Sequence, residues 1–138
     1  MNPNRLNRTF PIRLALAFGL ALAIGAPALQ AATPTELRNA YTARAGAPAM
    51  AARGEQFFTS SHGREWSCAS CHSAKPTVPG KHASTGKTIA PLAPRLNSTA
   101  FTDEARAEKW FRRNCNDVLG RECSAAEKAD VLTWLIGL

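Results

Sequence analysis

The sequence predicts an all-α domain in which a few helices are joined by long loops. Four segments combine helical spacing of apolar residues with residue types that cap helices, and no segment alternates as a strand does. Residues 73–100 have no periodicity and contain six Pro and Gly residues. A loop this long is uncommon in a compact domain unless it wraps around something, so we expect an object inside it.

The first 32 residues have the layout of a secretory signal peptide. Arginines at positions 5, 8 and 13 precede an apolar run over residues 14–24, and small residues follow. The run is short for a membrane span, which needs about 20 residues. We therefore predict cleavage between residues 28 and 32 and one domain over 33–138, with an uncleaved membrane anchor as the alternative.

The net charge of +7 comes partly from this leader. Loss of its three arginines leaves 14 Lys and Arg against 10 Asp and Glu, a net charge of +4. No Lys/Arg cluster interleaved with aromatic residues is evident, so nucleic-acid binding is not predicted. A mildly positive surface can still steer an acidic redox partner.

The first two predicted helices come directly after the leader. Thr33 is the predicted N-cap of the first, with Pro34 in its first turn and Glu36 completing a capping box, and Gly46 ends it. The second runs from about Pro48 to Phe58. Its Gly54 can allow another backbone to approach closely, or it can be an ordinary small residue. The apolar positions on these helices are Leu37, Ala40, Tyr41 and Ala45, then Phe57 and Phe58.

The last two predicted helices flank an irregular polar segment over residues 114–123. The third helix begins at Thr102, with acidic residues in its first turn, and reaches about Arg113. Ser124 and Glu127 form the capping box of the last helix. The apolar positions are Ala107, Trp110 and Phe111 on the third helix, and Ala129, Leu132, Leu135 and Ile136 on the last.

The segment Cys68-Ala69-Ser70-Cys71-His72 matches the attachment pattern of a c-type haem. Each thiol adds to one haem vinyl group, and two intervening residues place both sulfurs along one edge of the ring. The following His72 then donates a ring nitrogen to the iron, and its other nitrogen usually bonds a backbone carbonyl. The sequence therefore predicts one covalent haem c, which also supplies apolar surface to a small core.

Two other readings of the cysteines stay open at this point. A thioredoxin-like dithiol needs a βαβ context, which is not visible. A zinc site can join Cys68 and Cys71 to Cys115 and Cys123, although seven residues between the second pair is unusual for zinc. In an oxidising compartment, Cys115 and Cys123 can instead form a disulfide that closes a small loop.

The second axial position of the iron has no methionine to fill it. Electron-carrying cytochromes c take a methionine from a loop after the histidine. This chain has Met1, in the leader, and Met50, before the haem motif. His82, in the Pro/Gly-rich loop, is the main rival ligand and would make a low-spin bis-histidine centre; His62 is a weaker candidate.

From about residue 50 to the C-terminus the chain resembles the sphaeroides haem protein family of small, high-spin monohaem c-type cytochromes. The resemblance rests on residues 68–72, the loop 85–91, the block Lys109-Trp110-Phe111-Arg112-Arg113-Asn114-Cys115, and residues 121–123 leading into 127–130. It implies the fold of class I cytochromes c. It also implies an asparagine as sixth ligand of ferric iron, beside a disulfide between Cys115 and Cys123. Asn114 is the better match, and Asn116 is the second candidate.

The resemblance further implies that the asparagine leaves on reduction and that the ferrous iron then binds oxygen or nitric oxide. An amide oxygen is a hard, weak ligand that suits ferric more than ferrous iron. Nearby Arg112 or Arg113 can hydrogen-bond a bound diatomic gas or face solvent. The implied electron donor is a multihaem c-type cytochrome or a membrane cytochrome b.

The sequence thus favours a periplasmic, high-spin cytochrome that transfers electrons and binds small gases. A low-spin bis-histidine electron carrier using His82 is the alternative. No acid–base residues indicate a specific reaction, so oxygen- or nitric-oxide-related oxidoreductase activity stays open.

Overall fold

The computed structural model describes residues 32–138 and is mostly helical, as predicted. The predicted signal peptide lies almost entirely outside the described residues and stays a prediction. In the described part, no helix is both long and apolar enough to cross a bilayer. The elements are α1 (Pro34–Ala45), α2 (Ala51–Thr59), α3 (Cys68–His72), β1 (Gly80–Lys81), β2 (Thr88–Ile89), α4 (Glu104–Leu119) and α5 (Ala125–Ile136).

The capping boxes predicted for the first and last helices are both present. The Glu36 amide donates to Thr33 Oγ1 at 3.1 Å, and the Thr33 amide donates to the Glu36 carboxylate at 2.7 Å. Ser124 and Glu127 exchange the same pair of bonds at the start of α5, at 3.2 and 2.7 Å. These reciprocal bonds satisfy backbone amides that the first turn leaves free, which is why both starts were readable from sequence.

The core is built around α5, which packs against α1 and α2. Seven of the eight residues from Lys128 to Leu135 are buried, and Thr133 is the exception. One side of α5 contacts α1 through Ala129 and Leu132, and another contacts α2 through Val131 and Leu135. The remaining buried core partners are Leu37, Tyr41, Ala107, Phe58 and Trp134.

The contact between α2 and α5 is close enough to require a glycine. A Cβ at Gly54 would lie 2.1 Å from the backbone oxygen of Asp130. Beside this contact, the buried Asp130 carboxylate accepts from Arg53 Nε at 2.7 Å and from the Met50 amide at 2.6 Å. The carboxylate therefore ties the first turn of α2 to the middle of α5 where the two backbones meet.

Helix α4 is longer than predicted. It continues past Arg113 to Leu119 and ends at Gly120, which has a left-handed conformation (φ 73°). The prediction of an irregular segment from residue 114 is therefore wrong for residues 114–119. In residues 114–119 only Cys115 and Val118 are buried. The other positions of this part of the helix can be polar, because a surface helix needs apolar residues only on its inner face.

Two side-chain contacts hold α4 against α5. The mostly buried Lys128 ammonium donates to Glu108 at 2.6 Å and lies 5.3 Å from the centre of the Tyr41 ring. The predicted disulfide between Cys115 and Cys123 is present and joins the C-terminal half of α4 to the segment before α5. Together they fix the position of α4, on which the Asn114 side chain is carried.

The segment 73–100 is an ordered loop with one small exception. Strands β1 and β2 form a two-residue antiparallel pair, with Gly80 opposite Ile89 and Lys81 opposite Thr88. The sequence predicted no strands, and this prediction is wrong for these two. Strands of two residues are too short to produce an alternating pattern in the sequence. A Cβ at Gly80 would lie 2.1 Å from the Cys71 carbonyl oxygen, so this pair rests directly on α3.

Replacing Gly54 by Ala is expected to destabilise the protein by about 1–3 kcal/mol, because the added methyl group would overlap the α5 backbone. The measurement is urea denaturation of the haem-loaded protein. Gly137→Ala is the matched control, since its Cβ would meet only ordinary contacts at 3.4 Å or more. Equal stability of the two variants would show that α2 and α5 do not need this approach.

Replacing both Cys115 and Cys123 by Ala is expected to lower the free energy of unfolding by about 2–3 kcal/mol. The disulfide closes a loop of sequence separation 8, and opening it frees the unfolded chain. Denaturation with and without a thiol reductant measures this. The reductant should weaken the native protein by a similar amount; equal weakening of the double-Ala variant would contradict the explanation.

Candidate haem site

A cavity of about 440 Å³ lies between α3, α4, α5 and the loop 73–100. This volume is within the ~300–1,000 Å³ usual for cofactor pockets. Its wall is mostly apolar and includes Phe57 and Phe58 at the end of α2, and Val131 and Leu135 on α5. The loop that lacked periodicity closes it with Ile89, Ala90, Leu92, Ala100 and Phe101.

The haem motif forms the short helix α3 on one wall of this cavity. The Ser67 amide donates to Ser70 Oγ at 3.0 Å, which satisfies a backbone group at the start of the turn. One helical turn brings residues three apart to the same side. Cys68 and Cys71 accordingly both line the cavity, together with His72, and neither cysteine is in a disulfide.

Burial decides the protonation of two of these groups. It raises the pKa of the Cys68 thiol to about 11, so this thiol is protonated at neutral pH. Burial, and then the nearby charge of His82, lower the pKa of His72. His72 is therefore the neutral imidazole, which is the form that ligates metals.

The His72 ring has one nitrogen without a partner. Nδ1 is buried and makes no hydrogen bond with any of the described residues, so the backbone carbonyl expected for it is not found. The ring lies 6.2 Å from the Phe58 ring, which packs on Trp134 at 5.1 Å. An aromatic wall that reaches into the core therefore limits how far the His72 ring can turn.

His82 lies beside α3. The Ala83 amide is 3.3 Å from Cys71 Sγ, and His82 follows directly on β1, which rests on the Cys71 backbone. Its Nδ1 accepts from the Ser84 and Thr85 amides, both at 3.3 Å. The ring lines the cavity, and it lies near enough to His72 to help lower the pKa of that residue. This placement does not favour His82 as a ligand opposite His72.

His62 and Met50 do not line this cavity. The His62 Nε2 is 2.8 Å from the Phe57 carbonyl oxygen, and its ring stacks on Phe57 at 4.5 Å. Met50 is the exposed N-cap residue of α2, and its sulfur accepts from Arg53. Both side chains stabilise the ends of α2.

Three asparagines near the cavity differ in what their amides do. Asn97 donates to the Pro91 carbonyl at 2.8 Å and accepts from Thr99 at 2.9 Å. Asn116 does not line the cavity and donates to the Arg112 carbonyl of its own helix at 3.0 Å. Asn114 lines the cavity, is partly buried, and makes no side-chain hydrogen bond with the described residues.

The zinc alternative is excluded by the cysteines themselves. Cys115 and Cys123 are joined in the disulfide, which is part of the cavity wall. Among residues 32–138, no group of three or more His, Cys, Asp or Glu side chains could hold a metal ion. The four-cysteine arrangement left open by spacing therefore does not form.

Sequence reasoning missed part of the cavity rim. Trp110 was assigned to the apolar side of its helix, yet its side chain is 44% exposed while it also lines the cavity. Arg113 lines the cavity and lies over the Trp110 ring at 5.8 Å, whereas Arg112 does not reach it. Trp110 lies four residues before Asn114, so helical spacing would have placed the two side chains on the same face of the helix.

These residues fit a covalent haem. Two free cysteines and a neutral histidine line one largely apolar cavity. The His72 Nδ1 is buried without a partner among the described residues, so the protein does not engage the ring through that nitrogen. Such a haem would be held by Cys68, Cys71 and His72 and would supply redox and ligand-binding iron.

Comparison with known proteins agrees with this geometry. Residues 44–135 match a family model described as a domain of unknown function (DUF1924). The chain is 49% identical to the cytochrome c-type protein SHP of Cereibacter sphaeroides, over 84% of this chain and 93% of that protein. It is 47% identical to cytochrome c'' of Methylophilus methylotrophus, over 57% of this chain and 55% of that protein.

Solved structures give the same relatives. Oxidised SHP, described as an oxygen-binding cytochrome c, superposes with a TM-score of 0.73 at 49% identity and covers 78% of this chain and 98% of its own. Oxidised cytochrome c'' has a TM-score of 0.64 at 39% identity, with coverage of 75% and 92%. The class I cytochrome c-like fold is thereby confirmed. The chain belongs to the sphaeroides haem protein family and is a c-type cytochrome with one covalent haem c.

Proposed function

We propose that this protein is a periplasmic, high-spin cytochrome that transfers electrons and binds small diatomic gases at its ferrous haem. The proposal assigns the two thioether bonds to Cys68 and Cys71, the proximal ligand to His72, and the ferric sixth ligand to Asn114. The bound haem supplies an iron that changes oxidation state and accepts an exogenous ligand when a position is open.

The observation that carries the proposal is the free amide of Asn114. Of the three asparagines compared above, the side-chain amides of Asn97 and Asn116 each donate a hydrogen bond to a backbone carbonyl. Asn114 has a polar group facing a mostly apolar cavity with no protein partner among the described residues. Asn114 is partly buried in the protein alone, and a haem that fills the cavity would cover its amide further. Covering a polar group without a partner is costly, so a metal at that point would stabilise it.

The chemistry of an amide oxygen accounts for reversible ligation. It is a hard and weak donor, and ferric iron is a harder acid than ferrous iron. Asn114 would therefore be held more strongly by an oxidised than by a reduced iron, and reduction would favour its release. No methionine follows His72 to take the position instead.

The surroundings of Asn114 keep its backbone in place while its side chain can move. It is carried on a helix, and the next residue, Cys115, is held by the disulfide to Cys123. The helix and the disulfide at the next residue restrain the backbone, whereas no hydrogen bond from residues 32–138 restrains the amide. Loss of the ligand then requires a side-chain rotation rather than unfolding of a loop.

The relatives support this assignment of function. SHP is described as an oxygen-binding cytochrome c, and a solution structure of cytochrome c'' is described as giving insight into haem-ligand detachment. We extend gas binding and ligand loss to this chain on that basis. Periplasmic location, and a multihaem c-type or membrane-bound b-type cytochrome as electron donor, are parts of the same proposal.

Replacing Asn114 by Ala is expected to raise the affinity of the ferric protein for azide by about tenfold. A protein ligand that occupies the position nine-tenths of the time would lower azide affinity by that factor. Carbon monoxide affinity of the ferrous protein should change little, because the amide has already left. Both are measured by absorbance titration of the haem.

Asn116→Ala is the matched control, since it removes the same group from the outer face of the same helix. It should leave both titrations unchanged. A ferrous protein that stays low-spin and does not bind carbon monoxide would refute the proposed function, and an azide effect confined to Asn116→Ala would move the ligand to that residue.

Replacing His82 by Ala is expected to leave the ferric and ferrous haem spectra unchanged. Its loss removes two weak bonds from the Ser84 and Thr85 amides and should cost about 1 kcal/mol of stability. Spectra and urea denaturation of the same sample separate these effects. Conversion from a low-spin to a high-spin spectrum would instead identify the bis-histidine carrier that the sequence left as the alternative.

A further inference from the structure

One exposed face of α4 combines cations with a large aromatic side chain at the rim of the cavity. We name this face the α4 patch; it consists of Arg106, Lys109, Trp110 and Arg113. These residues are spaced by three, four and seven, which places them along one side of a helix. All are exposed, and three of them also line the cavity.

The positive charge of the patch is not neutralised by its own helix. None of the patch cations forms a salt bridge within the described part of the chain. Two of the acids on α4 are engaged elsewhere, Glu104 with Arg44 at 3.2 Å and Glu108 with Lys128 at 2.6 Å. Two acids remain near the patch, Asp117 one turn beyond Arg113 and the N-cap Asp103 one turn before Arg106, and they offset part of its charge.

Trp110 adds exposed apolar surface to the patch, which an ordinary solvated charged face lacks. Its side chain is 44% exposed, and the Arg113 guanidinium lies over its ring at 5.8 Å. Exposing a tryptophan to water is unfavourable, and Trp and Arg are the residue types most enriched at the energetic centres of protein interfaces. The ring is also part of the cavity wall, so a partner on the patch would come near the redox centre.

We propose that the α4 patch is the docking surface for an acidic electron-donor protein. This inference rests on the proposed redox function and adds the surface and the charge of the partner. Opposite charge steers encounter and orients the partner, and Trp110 supplies apolar contact at the centre of the interface. The sequence places Lys109, Trp110 and Arg113 in one block, whereas the helix shows that Arg106 lies on the same side and that Trp110 is exposed at the cavity rim.

Reduced flavodoxin, an acidic one-electron donor, is the probe. The flavin hydroquinone gives up one electron to become the semiquinone, and the ferric haem takes that electron up. The double variant R106E/R113E should lower the second-order rate constant about tenfold or more at 10 mM ionic strength. The difference should shrink at 150 mM, where the screening length falls to about 8 Å.

The matched control is K75E/K87E, which changes the net charge equally at two exposed lysines that do not line the cavity. Its effect should be clearly smaller. An equal or larger effect of K75E/K87E would overturn the proposal, because the donor would then be attracted by overall charge or by the surface beside the haem motif.

Binding of oxidised flavodoxin, measured by titration calorimetry on the ferric haem-loaded protein, is a readout that needs no electron transfer. R106E/R113E should raise the dissociation constant about tenfold, and W110A should raise it about fivefold or more. Unchanged binding in both variants refutes the proposal. Tighter binding of a single-stranded DNA of equal charge than of flavodoxin would assign the patch to nucleic acid and also refute it.

These outcomes are separable from those of the proposed function. If the ferrous protein fails to bind carbon monoxide, gas binding fails while the flavodoxin result still decides the docking surface. If docking fails, the azide and carbon monoxide titrations of the Asn114 variant are unaffected.

Discussion

The packing of this protein depends on the point where the backbones of α2 and α5 touch. At Gly54 there is room for a hydrogen atom but not for a Cβ, because the Asp130 carbonyl lies in its place. The buried Asp130 carboxylate holds Arg53 and the Met50 amide at the same point. With α2 fixed on α5, Phe57 and Phe58 are carried to the cavity and form the wall against which His72 lies.

The residues of the site differ in how firmly they are held: α3 is well supported, whereas the side chain of Asn114 is not. On the rigid side, α3 is supported by β1, whose Gly80 touches the Cys71 carbonyl, and by the Phe58 ring. On the other side, Asn114 is held only through its helix backbone and the neighbouring disulfide, and its amide is unpartnered within the described residues. A firmly supported His72 and a less restrained Asn114 would suit the reversible ligation proposed above, since only one bond to the iron should then break on reduction.

Helix α4 brings the two proposed activities together. Its inner face supplies Asn114 and the disulfide to the cavity wall, and its outer edge supplies Trp110 and exposed cations. The helical period places these groups a few ångströms apart on adjoining faces. A protein docked on α4 would therefore lie close to the residue proposed to leave the iron, which couples electron arrival and ligand loss through one element.

The amino-acid sequence alone was enough to predict the features that depend on local order: both capping boxes, the haem motif and the missing methionine. Local hydrogen bonds and fixed spacing decide these, and neighbours in the chain are enough to specify them. For Gly54 the sequence left open whether the residue permits a close approach, and the Asp130 backbone decides that it does. Tertiary structure decided the rest. The extension of α4 to Leu119 depends on burial of Cys115 and Val118, the choice among Asn97, Asn114 and Asn116 depends on which amide already has a partner, and the position of His82 depends on β1 resting on α3. Each depends on how the chain packs around the cavity, even where a hydrogen-bond partner lies only four or six residues away, so no local pattern records it.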